Sequence, residues 1–110
     1  MRARFPILSS EQITDAAVPG LVLLDFWQAS CAPCRALEPW LEQVARRHHG
    51  AFTGYRIDVD TDTVTPGRYG VLSIPTLVWL RDGVEITHQD GLIRAEDIEQ
   101  VLTTLIATDP

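Results

Sequence analysis

Leu21-Val22-Leu23-Leu24-Asp25-Phe26-Trp27-Gln28-Ala29-Ser30-Cys31-Ala32-Pro33-Cys34-Arg35 carries an apolar run straight into a close pair of cysteines. Leu21 to Leu24 are apolar on both alternating faces, which suits a strand at the centre of a sheet covered on each side. Beyond the cysteines, Leu37, Trp40, Leu41, Val44 and Ala45 recur at helical spacing, and Glu38, Glu42 and Arg46 fall on the other face. The cysteines therefore sit where a central strand meets a helix. In α/β sheets the carboxyl ends of strands are where ligand and catalytic sites gather.

Working outward, Ser9 with Gln12 fits a capping box that opens a short helix closed by Pro19-Gly20. The long helix after the cysteines ends in Arg46-Arg47-His48-His49-Gly50, cations for the negative end of the dipole and a glycine for the left-handed C′ position. Pro39 inside that helix offers no N–H and opposes the carbonyl of Arg35, which predicts a kink. Tyr55, Ile57 and Val59 alternate with polar neighbours as a strand, and Thr61 to Gly70 holds one short helix. Thr76 to Leu80 and Val84 to Gln89 are two strands joined by an Asp82-Gly83 hairpin turn, with Gly91 breaking the second. Ile98, Val101, Leu102 and Leu105 define one face of a closing helix with Glu96 and Asp97 in its first turn. The pattern predicts an α/β fold: a central mixed β-sheet flanked by helices on both faces.

The 110 residues predict one domain, residues 1 to 110, with one hydrophobic core. Nine arginines and no lysine stand against nine aspartates and six glutamates, a formal charge of −6. An acidic chain without a basic cluster is a poor binder of nucleic acid. The longest apolar runs, Leu21 to Leu24 and Leu77 to Leu80, fall far short of the ~18 to 20 residues that cross a bilayer, so no membrane span is expected. Arg2 and Arg4 precede an apolar stretch interrupted by Pro6, which forms no secretory h-region, so the expected location is cytoplasmic.

Only two cysteines occur, and a bridge closing so small a loop removes little chain entropy, so the pair reads as chemistry rather than as a staple. With the helix starting at the motif, its unpaired N–H groups and positive dipole end favour a thiolate on Cys31. Cys34, three residues on, is more enclosed and close enough to attack a mixed disulfide on Cys31. Pro33 is tolerated in the first turn and stiffens the loop. Lowering a thiol pKa from about 8.5 to about 7 raises its thiolate fraction roughly 16-fold at pH 7 but weakens it as a nucleophile roughly 5-fold. Most of the benefit thus comes from positioning and from Cys31 as a good leaving group. A zinc site normally needs four ligands, and the histidines have simpler readings. His48-His49 is a helix C-terminal charge pair, His88 lies in an edge hairpin, and Asp58 and Asp60 are turn residues, so no metal site is predicted.

Asp25-Phe26-Trp27, Cys31-Ala32-Pro33-Cys34-Arg35, Tyr69-Gly70-Val71, Ile74-Pro75-Thr76 and Asp82-Gly83 follow in the order and spacing of the thioredoxin family, which the chain resembles over about residues 9 to 107. The resemblance implies the thioredoxin fold and dithiol-disulfide exchange. It makes Cys31 the nucleophile, Cys34 the resolving thiol, Asp25 the buried carboxylate beneath Cys34, and Pro75 a cis proline beside the cysteines. Ile74 would offer backbone groups to an extended substrate, with Gly91 and Leu92 in the neighbouring groove. Trp27 resembles a tryptophan packed beside the active site. Burial should raise the pKa of Asp25 and make it a proton acceptor for Cys34, while Arg56, where the family usually has lysine, opposes that rise; the sequence does not order the two effects. Ser30 stands where the family usually carries tryptophan, and its small polar side chain weakens contact with extended polypeptide.

The implied activity is reduction of protein disulfides through a Cys31/Cys34 cycle by a cytoplasmic monomer that binds no cofactor and receives electrons from a thioredoxin reductase using NADPH. The alternative is a binding or chaperone module that uses the groove around Ile74, Pro75 and Leu92 with little or no redox turnover, for which Ser30 is the best support. An oxidase or isomerase role calls for an export signal that the sequence does not display.

Overall fold

A computed structural model describes residues 19–108. The helix expected between Ser9 and Pro19-Gly20 lies outside that range except for its closing pair. The described elements are β1 (Leu21–Trp27), α1 (Ala32–Arg47), β2 (Thr53–Asp58), α2 (Thr65–Arg68), β3 (Thr76–Arg81), β4 (Val84–Asp90) and α3 (Ala95–Ala107). The strands form one mixed sheet in the order β2-β1-β3-β4, with β1 parallel to β2 and antiparallel to β3. The apolar run at Leu21 to Leu24 is accordingly interior to the sheet, and β4 with His88 is an edge.

The two faces follow from the period of two along each strand. Leu23, Leu77 and Trp79 face one side, where α1 packs through Leu37, Leu41 and Val44 and α3 through Ile98 and Leu102. Val22, Leu24, Phe26, Ile57, Val78 and Leu80 face the other, where Tyr69, Val71 and Ile74 from the end of α2 and the loop after it cover them. The two longer helices thus share one side, and among the described residues the C-cap of α2 and the loop after it cover the other. Trp79, fully buried, donates its indole N–H to Gln89 Oε1 at 3.0 Å and meets Phe52 edge-on at 5.4 Å.

Local signals were accurate to within a residue or two. Val59 falls just past the end of β2, whereas β3 and β4 run one residue further than the patterns, to Arg81 and Asp90. The hairpin turn has positive φ at both central residues, 52° at Asp82 and 85° at Gly83, the combination that matches the twist of the flanking strands. It is tied to the start of β1, because Gly20 N–H donates to Asp82 Oδ1 at 2.7 Å. Gly50 does take a left-handed φ of 83°, but α1 ends at Arg47 with His48 as its cap, so the glycine lies one position beyond C′. The helix continues through Pro39 as one element.

The charged end of α1 is a structural joint. Arg47 Nη1 and His48 Nε2 reach Glu99 of α3 at 2.8 and 2.7 Å. The hydrogen bond with His48 leads the effects that hold the Glu99 carboxyl below its ordinary pKa.

Candidate active site

Cys31 is the N-cap of α1: its backbone is extended, and its sulfur accepts the N–H of Cys34 at 3.2 Å. Ala32 opens the helix, Pro33 occupies its first turn, and no acidic side chain lies in that turn to offset the positive dipole end. Cys31 and Cys34 are joined as a disulfide, with Cα atoms 5.2 Å apart. Cys31 is partly exposed and Cys34 buried, the asymmetry required if one sulfur meets a substrate and the other waits.

The loop carrying the pair is braced by its own backbone and by arginine. Cys31 N–H donates to the Gln28 carbonyl at 3.0 Å, and Arg35 Nη1 donates to the Ala29 carbonyl at 2.6 Å. Gln28 Nε2 in turn donates to Asp60 Oδ1 at 2.6 Å, while Asp58 Oδ1 accepts the N–H of Asp60 at 2.9 Å. Asp58 and Asp60 are therefore turn and bracing residues, as their sequence context suggested. Among the described residues no cluster of three histidine, cysteine or acidic side chains could hold a metal ion.

Beneath α1, Asp25 lies on the same sheet face as Leu23 and is 3% exposed. Register sets Arg56 of β2 directly beside it, and Arg56 Nε stands 3.9 Å from Asp25 Oδ2. The opposition left open by the sequence is resolved by burial: removal from water pushes Asp25 up to about 7, the Arg56 cation pulls back, and Glu38 adds to the rise. The guanidinium also stacks on Trp27, its carbon 3.9 Å from the ring centroid. Trp27 thereby contacts the cation beside Asp25, whereas Trp79 is core and Trp40 packs against the core.

Glu38 departs from the helical-wheel reading that put it on the face away from the core with Glu42 and Arg46. Its carboxylate turns toward the sheet, with Oε2 3.5 Å from Arg56 Nη2 and the side chain 39% exposed. The available signal was its position four residues after Cys34, on the same helix face. Arg35 was likewise read only as part of a motif, not as a brace.

The remaining residues converge by topology. Thr76 pairs with Phe26 on one side and Asp90 on the other, so the segments before β3 and after β1 and β4 emerge at one end of the sheet. These segments contain Ser30 and Cys31, Ile74 and Pro75, and Gly91 and Leu92. The Ile74-Pro75 peptide bond is cis, as the resemblance implied, and Pro75 is buried. Ser30 and Gly91 are exposed, Gly91 has a φ of 79°, and Leu92 is 77% exposed. Ile74 is partly buried and packs against the second core cluster.

A cysteine pair capping a helix at the carboxyl end of a central strand defines a thiol-disulfide oxidoreductase. The family model described as thioredoxin matches residues 10–104, and the chain belongs to the thioredoxin family. It is 37% identical to a thioredoxin of Listeria monocytogenes over 101 residues, covering 87% of this chain and 98% of that protein. It is also 37% identical to a thioredoxin of Bacillus subtilis over 83 residues, 76% of this chain and 80% of the other. A mutant thioredoxin from Halobacterium salinarum NRC-1 superposes with a TM-score of 0.84 at 27% identity, covering 96% of this chain and 93% of that one. These likenesses and the cysteine pair together mark the chain as a protein-disulfide reductase.

Proposed function

We propose that Cys31 is the attacking sulfur, Cys34 the resolving sulfur and Asp25 the group that receives the Cys34 proton. The observation that carries this assignment is the position of Cys31 at the cap of α1, partly exposed, with its sulfur accepting the Cys34 N–H. Cys31 thiolate attacks one sulfur of a substrate disulfide; that bond breaks, and the leaving sulfur departs as a thiolate that takes a proton from water. Cys34 then loses its proton to Asp25 and attacks Cys31 sulfur, expelling the second substrate thiolate, which also takes a proton from water. The substrate gains two electrons and two protons, and the Cys31–Cys34 pair becomes the disulfide.

Protein disulfides are the proposed substrates, held as extended chain against the Ile74 backbone with Trp27, Ser30, Pro75, Gly91 and Leu92 around them. A thioredoxin reductase using NADPH restores the dithiol, and no cofactor is bound by the chain itself. The protein acts as a single-domain cytoplasmic monomer, as its likeness to bacterial thioredoxins supports. Insulin reduction, coupled to a thioredoxin reductase and NADPH, should proceed over many turnovers. Peptide binding without turnover would replace this proposal with a binding module.

The role of Asp25 has its own test. With its pKa at about 7, turnover should rise as pH passes through that value, where the carboxylate becomes available to accept a proton. Asp25→Asn should remove this limb and slow turnover roughly 10-fold or more near pH 7.5, within the usual reach of a positioned base. A profile between pH 6 and 9 unchanged by the substitution would rule the role out.

A further inference from the structure

The guanidinium of Arg56 is shared between two carboxylates. Its Nε faces Asp25 Oδ2 at 3.9 Å, beyond hydrogen-bond length, while Nη2 faces Glu38 Oε2 at 3.5 Å. Asp25 Oδ1 and Arg56 Nε are both buried without a hydrogen-bond partner. A cation and a buried carboxylate this close gain by closing the gap, since a charge-assisted hydrogen bond is worth about twice a neutral one. The same guanidinium has its carbon 3.9 Å from the Trp27 ring centroid and its Nη2 toward Glu38, two contacts that compete with closure onto Asp25. The charged groups acting on Asp25 are Arg56 from β2 and Glu38 from α1, joined by Cys34 on the reading of Asp25 as its base once the disulfide opens; β3 opposes it with uncharged Leu77.

We infer that Glu38 is a positioning residue for the disulfide exchange, holding the Arg56 cation off Asp25 so that the buried carboxyl keeps its capacity to take up the Cys34 proton. The inference rests on the reading of Asp25 as the base and adds what tunes it. Glu38 acts twice in the same direction: as a like charge it disfavours the Asp25 carboxylate, and as an ion-pair partner it occupies the cation that would favour it. Nothing in the reaction requires Glu38 to touch substrate, and at 39% side-chain exposure its replacement opens no core cavity.

The experiment compares the parent with Glu38→Gln and Glu38→Asp, each oxidised and reduced, by carbon-13 NMR titration of the Asp25 carboxyl alongside the pH profile of insulin reduction. Glu38→Gln should move the Asp25 midpoint down by about one pH unit, with the acid limb of turnover following it, and Glu38→Asp should restore most of the shift. In an Arg56→Gln background, Glu38→Gln should move the midpoint by less than about half as much, because only the like-charge effect remains. Glu38→Gln with an Asp25 midpoint equal to that of the parent overturns the inference, as does loss of thermal stability without any midpoint change. A shifted carboxyl midpoint with an unshifted rate profile overturns the role in exchange. If Asp25→Asn abolishes the acid limb while Glu38→Gln leaves it in place, the base assignment stands and this inference falls.

Discussion

At pH 8.5 the oxidised Asp25→Asn protein should resist denaturant better than the parent by about 2 to 3 kcal/mol, and at pH 3.5 that advantage should vanish or reverse. The sign follows from the raised carboxyl. A group near 3.8 in the unfolded chain and about 7 in the fold binds more protons when folded throughout the interval between those values. Stability therefore falls as pH rises through that window, and the full penalty is present above pH 7. A gap of roughly three pKa units corresponds to about 4 kcal/mol, from which the cost of burying the amide's unpaired donors, about 1 to 2 kcal/mol, is subtracted. Paired urea curves at the two pH values measure the difference directly. Equal midpoints at pH 8.5 would mean that the Asp25 carboxyl is not destabilised by burial, and the pH limb assigned to it would need another source.

Substituting the sulfurs should separate two chemically distinct failures. Cys31→Ser should cut insulin reduction by at least about 10³-fold, because an un-ionised hydroxyl does not replace a thiolate as nucleophile. Cys34→Ser should still attack, since Cys31 keeps its cap position and exposure, but should stop as a covalent mixed disulfide. Well-oriented intramolecular reactions reach effective molarities of about 10⁵ M and above, so millimolar external thiols replace Cys34 poorly. Mass spectrometry should find the Cys34→Ser protein carrying its substrate through Cys31. Trapped complexes formed instead through Cys34 in Cys31→Ser would reverse the assignment.

The expected stability gain and the expected catalytic loss of Asp25→Asn are two sides of one placement. A carboxyl held out of water costs stability when ionised and, for the same reason, takes up a proton near neutral pH. Glu38 and Arg56 adjust that balance in opposite directions.

Much of this molecule is readable from short windows of chain. The apolar run at Leu21 to Leu24 marked an interior strand, Asp82-Gly83 marked the hairpin, and the spacing of Leu37, Leu41 and Val44 marked the buried side of α1. Cys31-Ala32-Pro33-Cys34 located the redox pair, and the helix that follows placed Cys31 at its cap. Each of these signals depends on residues within a few positions of one another, so backbone geometry and side-chain periodicity are enough to read them.

Glu38 shows where that reading stops. A wheel drawn on α1 alone assigned it to solvent, because the cation that attracts it belongs to β2 and is absent from the helix. The same holds for Asp25, whose two opposing influences were named from sequence but ranked only once its burial and its 3.9 Å separation from Arg56 were known. Local chain chemistry was sufficient to define the strand, the helix, the turn and the pair of sulfurs. Which acid carries a proton near neutrality, and which charge restrains it, was settled by packing, because desolvation and Coulomb energy depend on distances through space that join residues far apart along the chain.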